Sequence, residues 1–153
     1  MNDGPRTVLG FDFGRKRIGV AVGQTLTGTA SPLDTLRADQ GRPDWPAIDR
    51  LLDTWRPDAL VVGSPCNMDG TAHALTHAAG RFARQLRGRY GLAVHLVDER
   101  LSSLAAAERL NKTGRRRPRK GAKEQLDQVA AQIIVETWLG QRSGAAVPPA
   151  TVP

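Results

Sequence analysis

The stretch `VLGFDFGRKRIGVAVG`, Val8 to Gly23, constrains the fold more than any other part of the chain. Leu9, Phe11 and Phe13 alternate onto one face while Val8, Gly10 and Asp12 take the other, and Ile18, Val20 and Val22 repeat the alternation after a `GRKR` turn. Period two on both sides of a short polar turn predicts a β-hairpin. One face of it is unusually bare: Gly10 and Gly14 share the side of Asp12, and Gly19, Ala21 and Gly23 do the same on the partner strand. A carboxylate inside an apolar strand has to be paired, hydrogen-bonded or bound to a cation, because burying it bare costs several kcal/mol. An open floor with one acid on it reads as a site where a bulky ligand approaches the backbone.

Further along the chain the period lengthens. `GTASPLDTL` predicts a third, edge strand interrupted by proline. From Asp44, the residues Trp45, Ile48, Leu51, Leu52 and Trp55 recur at helical spacing until `RPD`, and `ALVVG` follows as a short continuous apolar strand. A second helix is predicted from about Ala72 to Tyr90 with Leu75, Ala79, Phe82 and Leu86 inward, and after Gly91 the strand `LAVHLV`. `LAAAERL` predicts a short helix capped by Ser102 or Ser103. `EQLDQVAAQIIVETWL` predicts the last helix, with Leu126, Val129, Ala130, Ile133, Ile134 and Trp138 on one apolar face. Residues 141–153 have no period and are expected to be a disordered tail. The expected architecture is α/β in one domain over residues 1–140, with a mixed sheet, antiparallel in its first strands and parallel later, covered by helices.

Composition limits the function classes. The 153 residues, 40% of them hydrophobic, suffice for one ordinary domain with a core. No apolar run approaches the roughly 20 residues of a membrane span, and Met1 to Arg6 is polar, so a soluble cytoplasmic protein without a membrane partner is expected. The one cysteine, Cys66, supports neither an internal disulfide nor a thiolate metal cage. A formal charge of +7 favours a polyanionic partner.

Three acidic positions carry the candidate chemistry. Asp12 lies in the first strand. `DER`, Asp98-Glu99-Arg100, ends a later strand, where open α/β sheets bind ligands. Its two acids point to opposite sides if the strand persists, so one of them faces the site. Asp127 falls in line with Ala130, Ala131, Ile134 and Trp138, on the edge of the buried face of the last helix. Together these carboxylates suit one or two Mg²⁺ or Mn²⁺ ions, which prefer oxygen ligands. Two such ions about 3.5 to 4 Å apart activate water and stabilise the leaving oxygen of a phosphodiester.

`GFDFGRKRIGVAVG`, `VVGSPCNMDG`, `VDERLSS` and the Asp in `LDQVAAQIIVETWL` resemble the four blocks of the YqgF family, also called RuvX, over Val8 to Leu139. The resemblance implies an RNase H-like fold, kinship with Holliday junction resolvases, and a bacterial role in trimming the 5′ end of precursor 16S rRNA. It matches Asp12 to the first-strand acid, Glu99 with neighbouring Asp98 to the `DER` block, and Asp127 to the helix acid. The chain departs from many members in having Gln24 after the second strand and Ser64 before Pro65, neither a proposed ligand. The expected activity is metal-dependent phosphodiester hydrolysis with Asp12, Glu99 and Asp127 as metal ligands and Asp98 orienting the site or replacing Glu99.

The basic residues fit a structured RNA or branched DNA. Lys112 to Lys123 has no acid and carries Arg115, Arg116, Arg117, Arg119, Lys120 and Lys123 as phosphate contacts; Arg100 and the turn residues Arg15, Lys16 and Arg17 add to them. A junction resolvase implies a homodimer, for two symmetric cuts. His73 and His77 are read as surface residues, and Trp45, Trp55 and Trp138 as core rather than base-stacking platforms. Two other readings stand beside this one: an actin-like or sugar-kinase-like ATP-binding domain, for which the chain is short of a second lobe, and an RNA-binding assembly module without catalysis.

Overall fold

The computed structural model describes residues 6–65, 74–98, 122–143 and 150–151. The described residues form, in order, β1 (Thr7–Asp12), β2 (Arg17–Gln24), β3 (Thr29–Asp39), β4 (Arg42–Pro43), α1 (Trp45–Trp55), β5 (Ala59–Ser64), α2 (Ala74–Tyr90), β6 (Ala93–Asp98), α3 (Ala122–Ser143) and β7 (Ala150–Thr151). The strands form one sheet in the order β4-β3-β2-β1-β5-β6-β7. β1, β2 and β3 pair antiparallel, whereas β5 pairs parallel with β1 and β6 parallel with β5. The mixed sheet expected from the sequence is therefore present.

Local chemistry explains the turns. A Cβ added at Gly14 would stand 2.6 Å from the carbonyl oxygen of Arg17, so the β1–β2 turn closes only over a glycine. The predicted third strand is longer than its proline suggested. Its register on β2 shifts between Val20, opposite Asp34, and Ala21, opposite Pro32, so Leu33 is the extra residue of a bulge and the missing N–H of Pro32 falls at the irregularity. Gln40 and Gly41 both have positive φ, 50° and 82°, which matches the primed turns that join short antiparallel strands. α1 starts at Asp44, whose side chain accepts from the Ala47 N–H at 3.2 Å. It ends at Arg56, in the left-handed region, whose N–H reaches the Leu52 carbonyl at 2.8 Å.

The two faces of the sheet carry different loads. Leu9, Phe11, Phe13, Ile18, Val20, Leu60 and Val62 face α1 and α2, where they pack with Ile48, Leu52, Phe82 and Leu86. Phe82 is the hub, with ring centroids 5.6 Å from Phe11 and 5.0 Å from Phe13. The other face, Val8, Ala21, Val61 and Val97, is covered by Ala131, Ile134, Val135, Trp138 and Leu139 of α3. Full burial of Ile134 and Val135 alone contributes on the order of 1.5–3 kcal/mol each.

In the C-terminal part of the chain three expectations differ from the structure. Leu126, assigned to the buried face of the last helix, is 37% exposed, because that face narrows to Ala130, Ala131, Ile133, Ile134, Val135, Trp138 and Leu139. The helix runs on to Ser143, past the point where the tail was expected to begin. Inside that tail, Ala150 and Thr151 pair antiparallel with Leu96 and His95, using the open edge of β6. The predicted helix at `LAAAERL` lies outside the described residues.

Candidate nucleic-acid cleavage site

The bare floor of the hairpin is occupied by the protein itself. A Cβ added at Gly19 would overlap the carbonyl carbon and oxygen of Asp127 and stand 2.9 Å from its Cβ. At Gly10 and Gly23 it would overlap the methyl groups of Val135. The reading of these glycines as clearance for a ligand is thus corrected: they let α3 lie directly on β1 and β2. Period-two alternation shows that a strand face is bare but not what covers it.

This packing brings two of the predicted acids together. Gly19 is the register partner of Asp12 at the end of β1, so the Asp127 backbone rests on the residue directly across from Asp12. Paired residues share a sheet face. Asp12 is half-buried there, and Asp127 is 20% exposed. α3 is held in place by polar contacts to β3: Gln128 Nε2 donates to Thr35 Oγ1 at 3.1 Å, and Gln132 Nε2 to the Ala30 carbonyl at 3.1 Å.

Asp98 does not join them. Phe11, Val62 and Leu96 stand in one row across β1, β5 and β6, and the row two residues on joins Ser64 to Asp98. Alternation therefore puts Asp98 on the α1/α2 side of the sheet, with Phe13, and Asp12 on the α3 side. Asp98 is exposed at the end of β6. Glu99 and Arg100 lie outside the described residues, as do Arg115, Arg116, Arg117, Arg119 and Lys120, together with Cys66 and His73. Lys123 falls within α3, but its side chain is outside the described part.

The three basic residues of the hairpin turn divide between the two sides. Arg17 points to the α3 side, where its Nε donates to Oδ2 of Asp127 at 2.7 Å; the two side chains are 33% and 20% exposed. No local pattern announces this pair, since 110 residues separate its members. Arg15 and Lys16 turn the other way and line a cleft beside α2. Trp138 is buried and stacks on His95 at 5.1 Å, while Trp45 and Trp55 are half-buried against the core, in agreement with their reading as core residues.

Carboxylate oxygens are hard donors suited to Mg²⁺ or Mn²⁺. Asp12 and Asp127 supply such donors from a rigid strand end and a packed helix, and the guanidinium already at Asp127 shows that the position attracts positive charge. Among the described residues no three His, Cys, Asp or Glu side chains form a group able to hold a metal ion. No helix among the described residues is long and apolar enough to cross a membrane.

Comparison with known proteins follows the same direction. Residues 6–141 match the RuvX family, described as Holliday junction resolvase. A protein of Nitrosococcus oceani named "Putative pre-16S rRNA nuclease" is 54% identical over 138 residues, 90% of this chain and 89% of that one. A relative of the same name from Azotobacter vinelandii is 48% identical over 144 residues, covering 91% and 96%. Among solved structures, T. thermophilus RuvC in complex with a Holliday junction substrate superposes with a TM-score of 0.54 at 18% identity, covering 95% of this chain and 99% of that one. That likeness establishes the fold as RNase H-like.

Proposed function

We infer that this chain, which belongs to the RuvX family, is a nuclease that hydrolyses phosphodiester bonds with the help of Mg²⁺ or Mn²⁺, acting on the 5′ end of precursor 16S rRNA. The observation that carries this reading is the packing of Asp127 on Gly19, the register partner of Asp12 at the carboxyl end of β1. The names of the relatives, at 54% and 48% identity over nearly their full lengths, favour the RNA substrate. A cytoplasmic location follows from that substrate, and the nuclease domain extends past residue 140 to take in the end of α3 and β7.

Asp12 and Asp127 hold the cation. Asp98 belongs to the opposite side of the sheet, so the third ligand of the `DER` block is assigned to its neighbour Glu99. When bound, the divalent ion supplies a polarised phosphate and a water-derived nucleophile. Arg17 holds one oxygen of Asp127 and neutralises the carboxylate until substrate and cation arrive. The basic segment from Lys112 to Lys123 and Arg100 contact phosphates without reading sequence.

The family's description as Holliday junction resolvase favours a second substrate, branched DNA, for which two copies of the chain make paired cuts. Both substrates are tested together. Purified protein is incubated with precursor 16S rRNA and with a four-way DNA junction, in Mg²⁺, Mn²⁺ or EDTA, beside Asp12→Asn. The reading requires cleavage of one substrate that is lost with EDTA and with the substitution. Binding without cleavage of either leaves the chain as an RNA-binding assembly module.

A further inference from the structure

A second basic site lies on the far side of the sheet from Asp127. The β1–β2 turn, the β3–β4 turn and α2 enclose a cleft of about 1190 Å³. Arg15, Lys16, Arg42 and Arg81 line it with His77, against one acid, Asp39. The cleft therefore carries a formal charge of +3 with His77 neutral, four cations less one carboxylate. All four cations are exposed, and none of them forms an ion pair with a described residue. Four like charges around one cavity, with Asp39 the one acid of the lining, repel each other, and an anion that enters relieves that repulsion.

The walls are held in position rather than left to the side chains. Ala38 donates its N–H to the Lys16 carbonyl at 2.9 Å, and Gly41 donates to the Arg15 carbonyl at 2.9 Å. These bonds clamp the two turns together, and the positive φ of Gln40 and Gly41 sets Arg42 directly across from Asp39. The volume exceeds the roughly 300–1,000 Å³ of pockets that enclose one small molecule, so the cleft suits a stretch of extended chain.

Its place in the fold selects the ligand. Arg15 lines the cleft, and Arg17 holds Asp127. Their Cα atoms are at most about 7 Å apart, so one turn borders both sites. We propose that this cleft binds the phosphodiester backbone of the substrate strand beyond the point of cleavage, with Arg15, Lys16, Arg42 and Arg81 as its phosphate contacts. The proposal rests on the nuclease reading above and extends it: the polynucleotide passes over the end of β1, presents one phosphate at Asp12 and Asp127, and continues into the cleft beside α2.

The test is a salt titration of binding by the full chain, read by fluorescence anisotropy in EDTA, with a labelled RNA strand and a DNA strand of the same sequence. Three proteins are compared: wild type, the triple variant Arg15→Ala, Arg42→Ala, Arg81→Ala, and a control, Arg50→Ala, Arg84→Ala, Arg87→Ala, whose positions lie outside the cleft. Each phosphate contact on a single strand contributes about 0.7 to the slope of log K against log salt. The cleft variant should lose about 2 in slope and about 100-fold in affinity near 0.1 M salt. The control should lose far less.

Equal losses with RNA and DNA identify the phosphates as the shared ligand, whereas a loss confined to one strand type assigns the cleft to that polymer. Wild-type slope and affinity in the triple variant overturn the proposal, as does a control that loses as much. Cleavage of saturating RNA in Mg²⁺ reads the carboxylate site separately: it should vanish in Asp12→Asn and persist in the control Arg50→Ala, Arg84→Ala, Arg87→Ala. Cleavage without dependence on the cleft removes this proposal alone. Dependence of binding on the cleft without any cleavage removes the nuclease reading alone.

Discussion

Gly19→Ala is the most informative single substitution, because it tests the contact that joins the hairpin to α3. The added Cβ would overlap the Asp127 carbonyl group, and backbone, unlike a side-chain end, has no rotamer by which to yield. Either α3 lifts from β2 or the strand bends, and overpacking of this kind costs about 1–3 kcal/mol. For a chain of 153 residues each kcal/mol lowers Tm by about 2–4 °C, so a loss of about 2–12 °C is expected. Gly10→Ala overlaps a methyl of Val135 while the nearest backbone atom, the Ala131 carbonyl oxygen, stands at 3.5 Å, and it should cost less. Gly88→Ala is the opposite control: it adds a methyl to α2 with no atom within 4 Å and should stabilise by about 0.5–1 kcal/mol. Urea denaturation of the three variants gives the ranking. Cleavage by Gly19→Ala should fall by more than its folded fraction explains, since Asp127 moves with the helix. A Gly19→Ala protein as stable and as active as wild type would refute the placement of α3 on β2.

Other perturbations follow from single contacts. Asp44→Ala removes the side-chain acceptor at the start of α1 and should cost about 1 kcal/mol in urea melts. Arg17→Gln removes a partly exposed ion pair and should cost no more than about 1 kcal/mol, with the difference from wild type shrinking as salt rises. Tyr90, the only tyrosine, has its pKa pushed up to about 12 by burial and by donation to Asp49. Its phenol stays protonated in the folded chain above the pH at which it ionises in the unfolded one, so its contribution to stability is complete below pH 10 and fades between about 10 and 12. Titration of phenolate absorbance should give the raised value in wild type and a value nearer 10 in Asp49→Ala; identical curves would remove Asp49 as a cause.

Much of this architecture is legible in short-range pattern. Alternation around `GRKR` places the hairpin, and the run Trp45 to Trp55 behind Asp44 places α1, because both signals are local. Helical spacing likewise puts Asp127 at the margin of the buried face, where the structure finds it 20% exposed. What local pattern does not carry is which surfaces meet. The glycines of β1 and β2 look the same whether a ligand or a helix lies on them, and the helix that does begins about 100 residues later. The Arg17–Asp127 pair is hidden for the same reason. The basic turn residues also look equivalent in sequence, yet Arg15 and Arg17, two positions apart, serve opposite sides of the sheet. Alternation alone leaves open which side of the sheet Asp98 takes, and only the register of β6 on β5 and β1 tells. The short pairing of Ala150 and Thr151 with β6 has no periodic signal at all.

The central claim is that the cutting site is built on the α3 side of the sheet from Asp12, Asp127 and Glu99. Single-turnover cleavage of precursor 16S rRNA in Mg²⁺ by Asp12→Asn, Asp127→Asn, Glu99→Gln and Asp98→Asn tests it most directly. The first three should each slow cleavage by more than about 100-fold, beyond the 10–100-fold typical of residues that only support a metal ligand. Asp98→Asn should cleave at close to the wild-type rate. Loss of activity in Asp98→Asn with retention in Glu99→Gln, or full activity in Asp12→Asn, would contradict it.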